Sequence, residues 1–189
     1  IRHGRNEGAE IKLSVIGRHN AKNALAAASA ALCLGIPYER VKSALESFSG
    51  IERRLEIIGE RGGAKIYYDY AHHPTEIKNA IESVKNVTRG RVAVIFKPHT
   101  YSRTHDLLDD FRRAFSMADT VIFADIYAAR ETDTMGVSSK LLADDIGQMY
   151  FPSFEEIAKY LAENVAYGDL VITMGAGDIY KVFDGRLKK

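Results

Sequence analysis

Side chains capable of binding anions follow the predicted strands of this chain, at the points where those strands end. Three such segments, 69–74, 97–103 and 125–131, together carry histidine, arginine and tyrosine, and a fourth, 175–178, is rich in glycine. Arginine can offer two parallel hydrogen bonds to a carboxylate or phosphate. Ligands of an open parallel sheet bind outside the carboxyl ends of its strands. We therefore predict that the four segments form one ligand site, which we call the rim.

Two motifs within the rim have simpler interpretations when taken alone. The Gly175-x-Gly177 pair resembles the start of a dinucleotide-binding loop, but Tyr180 stands at the third glycine position, which favours a tight turn. The adjacent His72 and His73 point apart on an extended segment and have no evident third ligand. We therefore predict no metal site in this chain.

The neighbouring Arg53 and Arg54 leave two interpretations open. They are either solvated surface charge or a clamp for an anion, since a guanidinium matches the geometry of phosphate. The sequence has no G-x-x-x-x-G-K-[ST] segment, so the chain cannot cradle a nucleoside triphosphate by that route.

Length and composition limit the class of protein. The 189 residues suffice for one full domain and a smaller piece, and 46% hydrophobic with 27% charged residues exclude a disordered or fibrous chain. A net charge of +1 favours neither nucleic acid nor a membrane surface as a partner. The single cysteine, Cys33, lies in an apolar run and is predicted to be buried. With no signal-peptide pattern visible, we expect a cytoplasmic protein.

The first region, 1–50, reads as one strand and two helices. Alternating apolar residues predict a half-buried strand over 9–16, and Asn20 is the predicted N-cap of a helix over 21–34. Gly35 ends that helix, and Pro37 opens a second one. Since these elements cannot build a core of their own, and the chain begins without methionine, we expect a fragment of a longer protein.

The second region alternates strands and helices. Strands are predicted at 55–58, 65–70, 92–96, 120–126 and 170–174, with a short one at 149–151. Gly62 and Gly63 make the first two a hairpin, while Thr75 and Ser153 are predicted helix caps and Ser138 is predicted to begin another helix. This order predicts an α/β fold with a mostly parallel, doubly wound sheet and a leading β-hairpin.

Six stretches of the sequence, taken together and in order, resemble the Mur ligase family. They read GRHNxxNALAA at 17–27, GIERRLE at 50–56, DYAHHPTE at 69–76, PHxYSRT at 98–104, DIYAARE at 125–131 and GAGDI at 175–179. The fourth and sixth stretches favour the alanine-adding members over those that add a murein tripeptide.

The resemblance implies a Rossmann-like C-terminal domain over 51–189, preceded by the helical tail of the central ATP-binding domain over 1–50. It also implies a reaction in peptidoglycan precursor synthesis. ATP converts the carboxylate of UDP-N-acetylmuramate into an acyl phosphate, which the amine of L-alanine attacks. Mg²⁺ serves the phosphates, with its ligands mainly in the other domains of the same polypeptide, so we expect this chain alone to be inactive.

The resemblance also implies roles for individual residues. Nucleotide contacts are implied for His19, Asn20, Asn23, Arg54, Asp69 and Tyr70, with Asn23 at adenine and Asp69 at the ribose hydroxyls. Catalytic and amino-acid contacts are implied for His72 and Arg103, and further substrate contacts for His99 and Arg130.

Thr100 is a departure from the family pattern, because alanine-adding members often carry arginine there. Amino-acid specificity is therefore open, with Arg103 acting alone or assisted by Lys97 or Arg130. The alternatives to the ligase are a related murein-peptide ligase domain, a free-standing nucleotide-binding module and a non-catalytic folding or interaction domain.

Overall fold

The computed structural model of the chain describes residues 10–175 and 177–183. Ala9, the first residue of one predicted strand, and Ala176, within the glycine-rich segment of the rim, lie outside the described residues. The chain divides into two compact units between Ile51 and Glu52. We call them unit 1 and unit 2 and describe each by itself.

The described part of unit 1 contains two helices, α1 (Arg18–Cys33) and α2 (Tyr38–Ser47). The prediction of Asn20 as N-cap is wrong, because α1 begins after Gly17 and Nδ2 of the Asn20 side chain donates to the Ile16 carbonyl at 2.7 Å. The predicted end of the helix is confirmed. Gly35 has φ 78° and donates to the Leu32 carbonyl at 3.0 Å, as in a Schellman motif.

The strand predicted over 9–16 is also wrong for its described residues, since 10–16 form no strand. Ile11, Leu13 and Val15 are half-buried and alternate with exposed residues, so the alternation correctly indicated which side chains pack. A strand also needs a hydrogen-bonded neighbour. This segment is tied instead to Glu46, whose carboxylate accepts the Lys12 amide at 3.1 Å.

Cys33 is exposed, which contradicts its predicted burial. The apolar run around it encircles α1, and only Ala28 of that helix is fully buried among the described residues. An apolar run on a helix therefore buries only the residues on the packed side.

Unit 2 opens with the predicted hairpin of β1 (Glu56–Arg61) and β2 (Ala64–Asp69), which pair antiparallel. The two turn residues, Gly62 and Gly63, have φ of 60° and 81°. Two consecutive positive φ angles are what a tight two-residue hairpin turn requires.

Four further strands complete the sheet: β3 (Val92–Lys97), β4 (Thr120–Phe123), β5 (Met149–Tyr150) and β6 (Leu170–Gly175). The strand order is β1-β2-β6-β3-β4-β5, and every neighbouring pair after the hairpin is parallel. The predicted fold class is therefore confirmed, with β6 inserted between β2 and β3.

Helices cover both faces of this sheet. They are α3 (Pro74–Lys85), α4 (Tyr101–Asp106), α5 (Leu108–Ala114), α6 (Ser139–Asp145), α7 (Phe154–Asn164) and a 3-10 turn at Ile179–Phe183. On one face, Phe96 and Phe123 pack against Phe115, which follows α5. On the other face, Ile95 and Ile122 belong to one core with α7 and the 3-10 turn.

The helix cap predicted at Ser153 is confirmed, and so is the start of a helix at Ser138, which caps α6. Each hydroxyl accepts a hydrogen bond from an amide of the first helical turn. The cap predicted at Thr75 is wrong. His73 caps α3 because its Nδ1 accepts the Thr75 amide at 3.3 Å, and Pro74 follows at the first helical position. No helix in the described part of the chain is long and apolar enough to cross a bilayer.

Candidate functional site

The rim forms because neighbouring parallel strands end at the same edge of the sheet. Its side chains make a row of aromatic contacts from the loop after β2 to the loops after β3 and β4. Ring centroids are 5.3 Å apart for Tyr70 and His72, 6.0 Å for His72 and His99, and 5.6 Å for His99 and Tyr127. The predicted meeting of these three segments at one edge is therefore confirmed.

His99 and Arg103 form the central polar pair of the rim. Nη1 of Arg103 lies 2.8 Å from Nδ1 of His99. Because a guanidinium only donates, Nδ1 of His99 accepts and the ring proton resides on Nε2. Burial, followed by the positive charges of Arg103 and His72, lowers the pKa of His99, while Glu131 opposes this shift. His99 is therefore a neutral imidazole with a fixed tautomer near pH 7.

Arg103 keeps most of its donors for a ligand. Apart from the bond to His99, its guanidinium makes no hydrogen bond or ion pair with any described residue, and the residue is half-buried. A half-buried guanidinium with N–H groups left over can donate them to a carboxylate.

His72 is oriented by its own loop. Its Nδ1 lies 3.0 Å from the Tyr70 carbonyl, which can only accept, and 3.7 Å from the Glu76 carboxylate. Burial tends to raise the pKa of Glu76, but the amides of His72 and His73 and the His72 charge hold it below the ordinary value. Nδ1 of His72 is thus the donor, and Nε2 is left for a ligand.

Asp69 is buried, with 7% of its surface exposed, and both its oxygens bind backbone amides. One accepts from Ala71 at 2.7 Å and the other from Leu55 at 2.9 Å. Burial raises the pKa of Asp69, although these two amides and the charge of Arg54 oppose the shift. Asp69 thereby ties the segment that leads into β1 to the rim.

The arginines predicted at the site differ in their environment. Arg53 is anchored, since its carbonyl accepts the Tyr70 amide at 2.7 Å. Arg54 and Arg130 are exposed, and neither makes a hydrogen bond or ion pair with the described residues. Arg54 lies near enough to Asp69 to lower the pKa of that carboxyl, which places its charge beside the rim.

Lys97, expected as a possible substitute for the missing arginine, forms an ion pair with Asp178. Its ammonium donates to Asp178 at 2.7 Å and lies 5.1 Å from the centre of the Phe154 ring. Only 14% of the Lys97 side chain is exposed. The Asp178 carboxylate balances this charge, so Arg103 is the better candidate for binding a carboxylate.

Glu131 is a rim residue to which the sequence reasoning assigned no role. Its carboxylate accepts the Tyr101 amide at 2.5 Å, the Ser102 amide at 3.0 Å and the Ser102 hydroxyl. These hydrogen bonds lower the pKa of Glu131. One signal in the sequence could have indicated this role: an acidic residue lies in one strand-end loop, and a helix begins in another strand-end loop. Only the order of the strands in the sheet shows that these two loops are neighbours.

The nucleotide-binding residues predicted in unit 1 lie in the first two turns of α1. His19 and Asn20 are half-buried, whereas Asn23 is exposed. His19 and Asn23 are four residues apart and so share one side of the helix. Within the described residues, no group of three or more His, Cys, Asp or Glu side chains is arranged to hold a metal ion.

The fold and the rim together define a class of protein: an open α/β domain with a candidate ligand site at the carboxyl ends of its strands. Residues 53–177 match the family model described as "Mur ligase, glutamate ligase domain". The chain therefore belongs to the Mur ligase family.

Relatives with similar sequences are named UDP-N-acetylmuramate--L-alanine ligase. The protein of that name from Agathobacter rectalis is 48% identical over 185 residues, which is 95% of this chain and 40% of the relative. The one from Clostridium novyi is 49% identical over 177 residues, covering 91% of this chain and 39% of the relative. The chain thus spans about two-fifths of the length of these relatives.

Solved structures agree with the sequence comparison. The UDP-N-acetylmuramate-alanine ligase of Thermotoga maritima superposes with a TM-score of 0.78 at 28% identity, over 94% of this chain and 39% of that one. A murein peptide ligase from Psychrobacter arcticus gives a TM-score of 0.66 at 24% identity, over 93% of this chain and 37% of that one. The second likeness shows the fold alone.

Proposed function

We propose that this chain is the C-terminal part of an ATP-dependent ligase that joins L-alanine to UDP-N-acetylmuramate in peptidoglycan precursor synthesis. In this proposal residues 51–189 are the C-terminal domain, and residues 1–50 are the end of the central ATP-binding domain. The names of the relatives at 48–49% identity support the reaction. Because ATP is a cytoplasmic cosubstrate, the proposal also locates the enzyme in the cytoplasm.

The observation that carries the proposal is the free guanidinium of Arg103 beside His99. An amino acid presents a carboxylate, and Arg103 can bind it through two hydrogen bonds while His99 offers its Nε2–H. When its ring is neutral, His72 can accept a hydrogen bond from the amino group at Nε2, since its Nδ1 donates to the Tyr70 carbonyl. We propose these three side chains as the L-alanine site, with His72 and Arg103 closest to the reacting groups.

Two exposed arginines, Arg54 beside the rim and Arg130 within it, are available for anionic groups. Arg54 is exposed, and its guanidinium donates to none of the described residues, so its N–H groups are available for a phosphate. We propose that Arg54 binds a phosphate of ATP and that Arg130 contacts the substrate. ATP supplies the phosphoryl group that activates the muramate carboxylate.

The remaining nucleotide contacts follow the family pattern. We propose that Asn23 binds adenine, with His19 and Asn20 shaping that turn, and that Asp69 and Tyr70 border the ribose. Asp69 retains unused lone pairs after accepting two amides, so it can accept a ribose hydroxyl as well.

Among the described residues, no group of three or more His, Cys, Asp or Glu side chains could hold a metal ion. We propose that the ligands of Mg²⁺ come from the rest of the longer ligase.

The test is phosphate release from ATP in the presence of UDP-N-acetylmuramate and L-alanine. We expect the longer protein containing this chain to release phosphate only when both substrates are present, and the 189-residue chain alone to release none. Turnover by the chain alone would refute its assignment as a part of the ligase. Equal turnover with a murein tripeptide in place of L-alanine would refute the assigned substrate.

A further inference from the structure

Glu131 joins two loops of the rim that are far apart in sequence. It follows β4, yet its carboxylate accepts hydrogen bonds from the amides of the first two residues of α4, Tyr101 and Ser102, and from the Ser102 hydroxyl. A negative charge at this position also interacts favourably with the positive end of the helix. Three donors from one turn fix that turn against the loop after β4.

The turn that Glu131 holds is strained. Thr100, immediately before α4, has φ 68° and ψ 147°, a conformation that a β-branched residue rarely adopts. Such a conformation persists only where the surroundings impose it. Here the Thr100 amide donates to the Tyr127 carbonyl at 2.9 Å, and the Tyr127 amide donates to the Pro98 carbonyl at 2.8 Å. The loop after β4 therefore holds the loop after β3 in this conformation.

These contacts between the two loops set the geometry of the proposed amino-acid site. His99 and Arg103 lie on either side of the strained residue, one before it and one in the first turn of α4. Their side chains meet at 2.8 Å only while that turn keeps its place. His99 is held in addition by stacking on Tyr127, with an angle of 18° between the rings.

We infer that Glu131 is a positioning residue for amino-acid binding, acting by holding the α4 turn so that Arg103 and His99 stay paired. The expected effect of Glu131 on kinetics rests on the proposed function, whereas its expected effect on the structure does not. Glu131 itself need not touch the substrate, since its oxygens are taken up by Tyr101 and Ser102.

The structural consequence can be measured on this chain by NMR of the histidine ring nitrogens. At pH 8 we expect His99 to show one protonated nitrogen, Nε2, and one unprotonated nitrogen, Nδ1. Glu131→Ala should release Arg103, so that the two nitrogen signals move towards a tautomer average, and Glu131→Gln should give a smaller change. Glu163→Ala is the matched control, because Glu163 is exposed and binds no described residue.

The kinetic consequence is measured in the longer ligase. Glu131→Gln should raise the KM for L-alanine about tenfold, the effect of losing one well-placed hydrogen-bonding group, while the KM for ATP changes less than about twofold. Ser102→Ala, which keeps both amides, should raise the KM for L-alanine less. A general loss of stability would instead alter both substrates or the amount of folded enzyme.

The outcomes separate the two proposals. An unchanged His99 tautomer in both folded Glu131 variants would overturn the positioning role, as would an equal rise in KM for L-alanine and ATP. If Glu131→Ala does not fold, Glu131→Gln decides. A changed tautomer in a ligase that never uses L-alanine would uphold the positioning role and refute the proposed function.

Discussion

At the scale of single residues, the chemistry of the rim depends on which atoms are free to meet a ligand. Nδ1 of His99 accepts a hydrogen bond from Arg103, and Nδ1 of His72 donates one to the Tyr70 carbonyl. Each imidazole is thereby left with Nε2, a donor in His99 and, when His72 is neutral, an acceptor in His72. Two histidines separated by 6.0 Å can therefore bind opposite kinds of group.

The lowered pKa of His99 makes part of the stability depend on pH. Burial and the charges of Arg103 and His72 disfavour the protonated ring in the folded chain, whereas an unfolded histidine has a pKa near 6.5. This contribution is fully present above about pH 6.5 and is lost as pH falls from there through the folded pKa.

We expect the free energy of unfolding, measured by denaturant titration, to decrease across this window. His99→Gln removes the titrating group, so the variant should show a shallower slope in the same range. A wild-type slope no steeper than that of His99→Gln would contradict the assignment of a neutral His99.

The candidate residues could be predicted where the topology brings strand ends together. His72, His99 and Arg103 follow strands that the apolar runs predicted, and the strand-end rule was sufficient to group them. The role of Glu131 could not be predicted in the same way. It depends on the distance between a carboxylate in one loop and the first turn of α4, and sequence spacing does not encode that distance.

At the scale of elements, the rim depends on how closely β6 approaches β3. Gly175 ends β6 with φ 122°, and a Cβ added there would lie 2.2 Å from the Lys97 carbonyl oxygen. That oxygen belongs to backbone of the adjacent parallel strand, so it cannot rotate away as a side chain would. Glycine is required at this position for both backbone conformation and space.

Gly175→Ala should therefore destabilise the chain by about 2–4 kcal/mol, the sum of a strained backbone and a steric clash. Gly147→Ala is the matched control, since Gly147 has φ 65° but nothing within 4 Å of an added Cβ. That variant should cost only about 1–2 kcal/mol for the left-handed conformation. Equal losses for the two variants, measured by thermal or denaturant unfolding, would show that the close approach does not matter.

Among the elements, the sequence predicted those with local chemical signals. The Gly62-Gly63 turn, the helix starts at Ser138 and Ser153 and the end of α1 at Gly35 each depend on a few neighbouring residues. The strand over 9–16 failed because strand formation depends on a partner elsewhere in the chain. The insertion of β6 between β2 and β3 also follows from long-range pairing, which local patterns do not reveal.

At the scale of the whole molecule, the chain matches only part of the length of its relatives. Unit 2 has a doubly wound sheet covered on both faces, and the family model matches within it. The UDP-N-acetylmuramate--L-alanine ligases that it resembles are about two and a half times as long. The proposed role of the rim in ligation therefore has to be measured in a longer ligase that contains this chain.

The most direct measurement is the KM for L-alanine in the longer ligase carrying Arg103→Ala, with Arg89→Ala as control. Arg89 is exposed and makes no hydrogen bond or ion pair with the described residues, so its replacement should change nothing. Losing the charged hydrogen bonds of Arg103 should raise the KM for L-alanine about 10- to 100-fold and leave the KM for ATP nearly unchanged. A KM for L-alanine within about twofold of the control, in a folded enzyme, would contradict an amino-acid site at this rim.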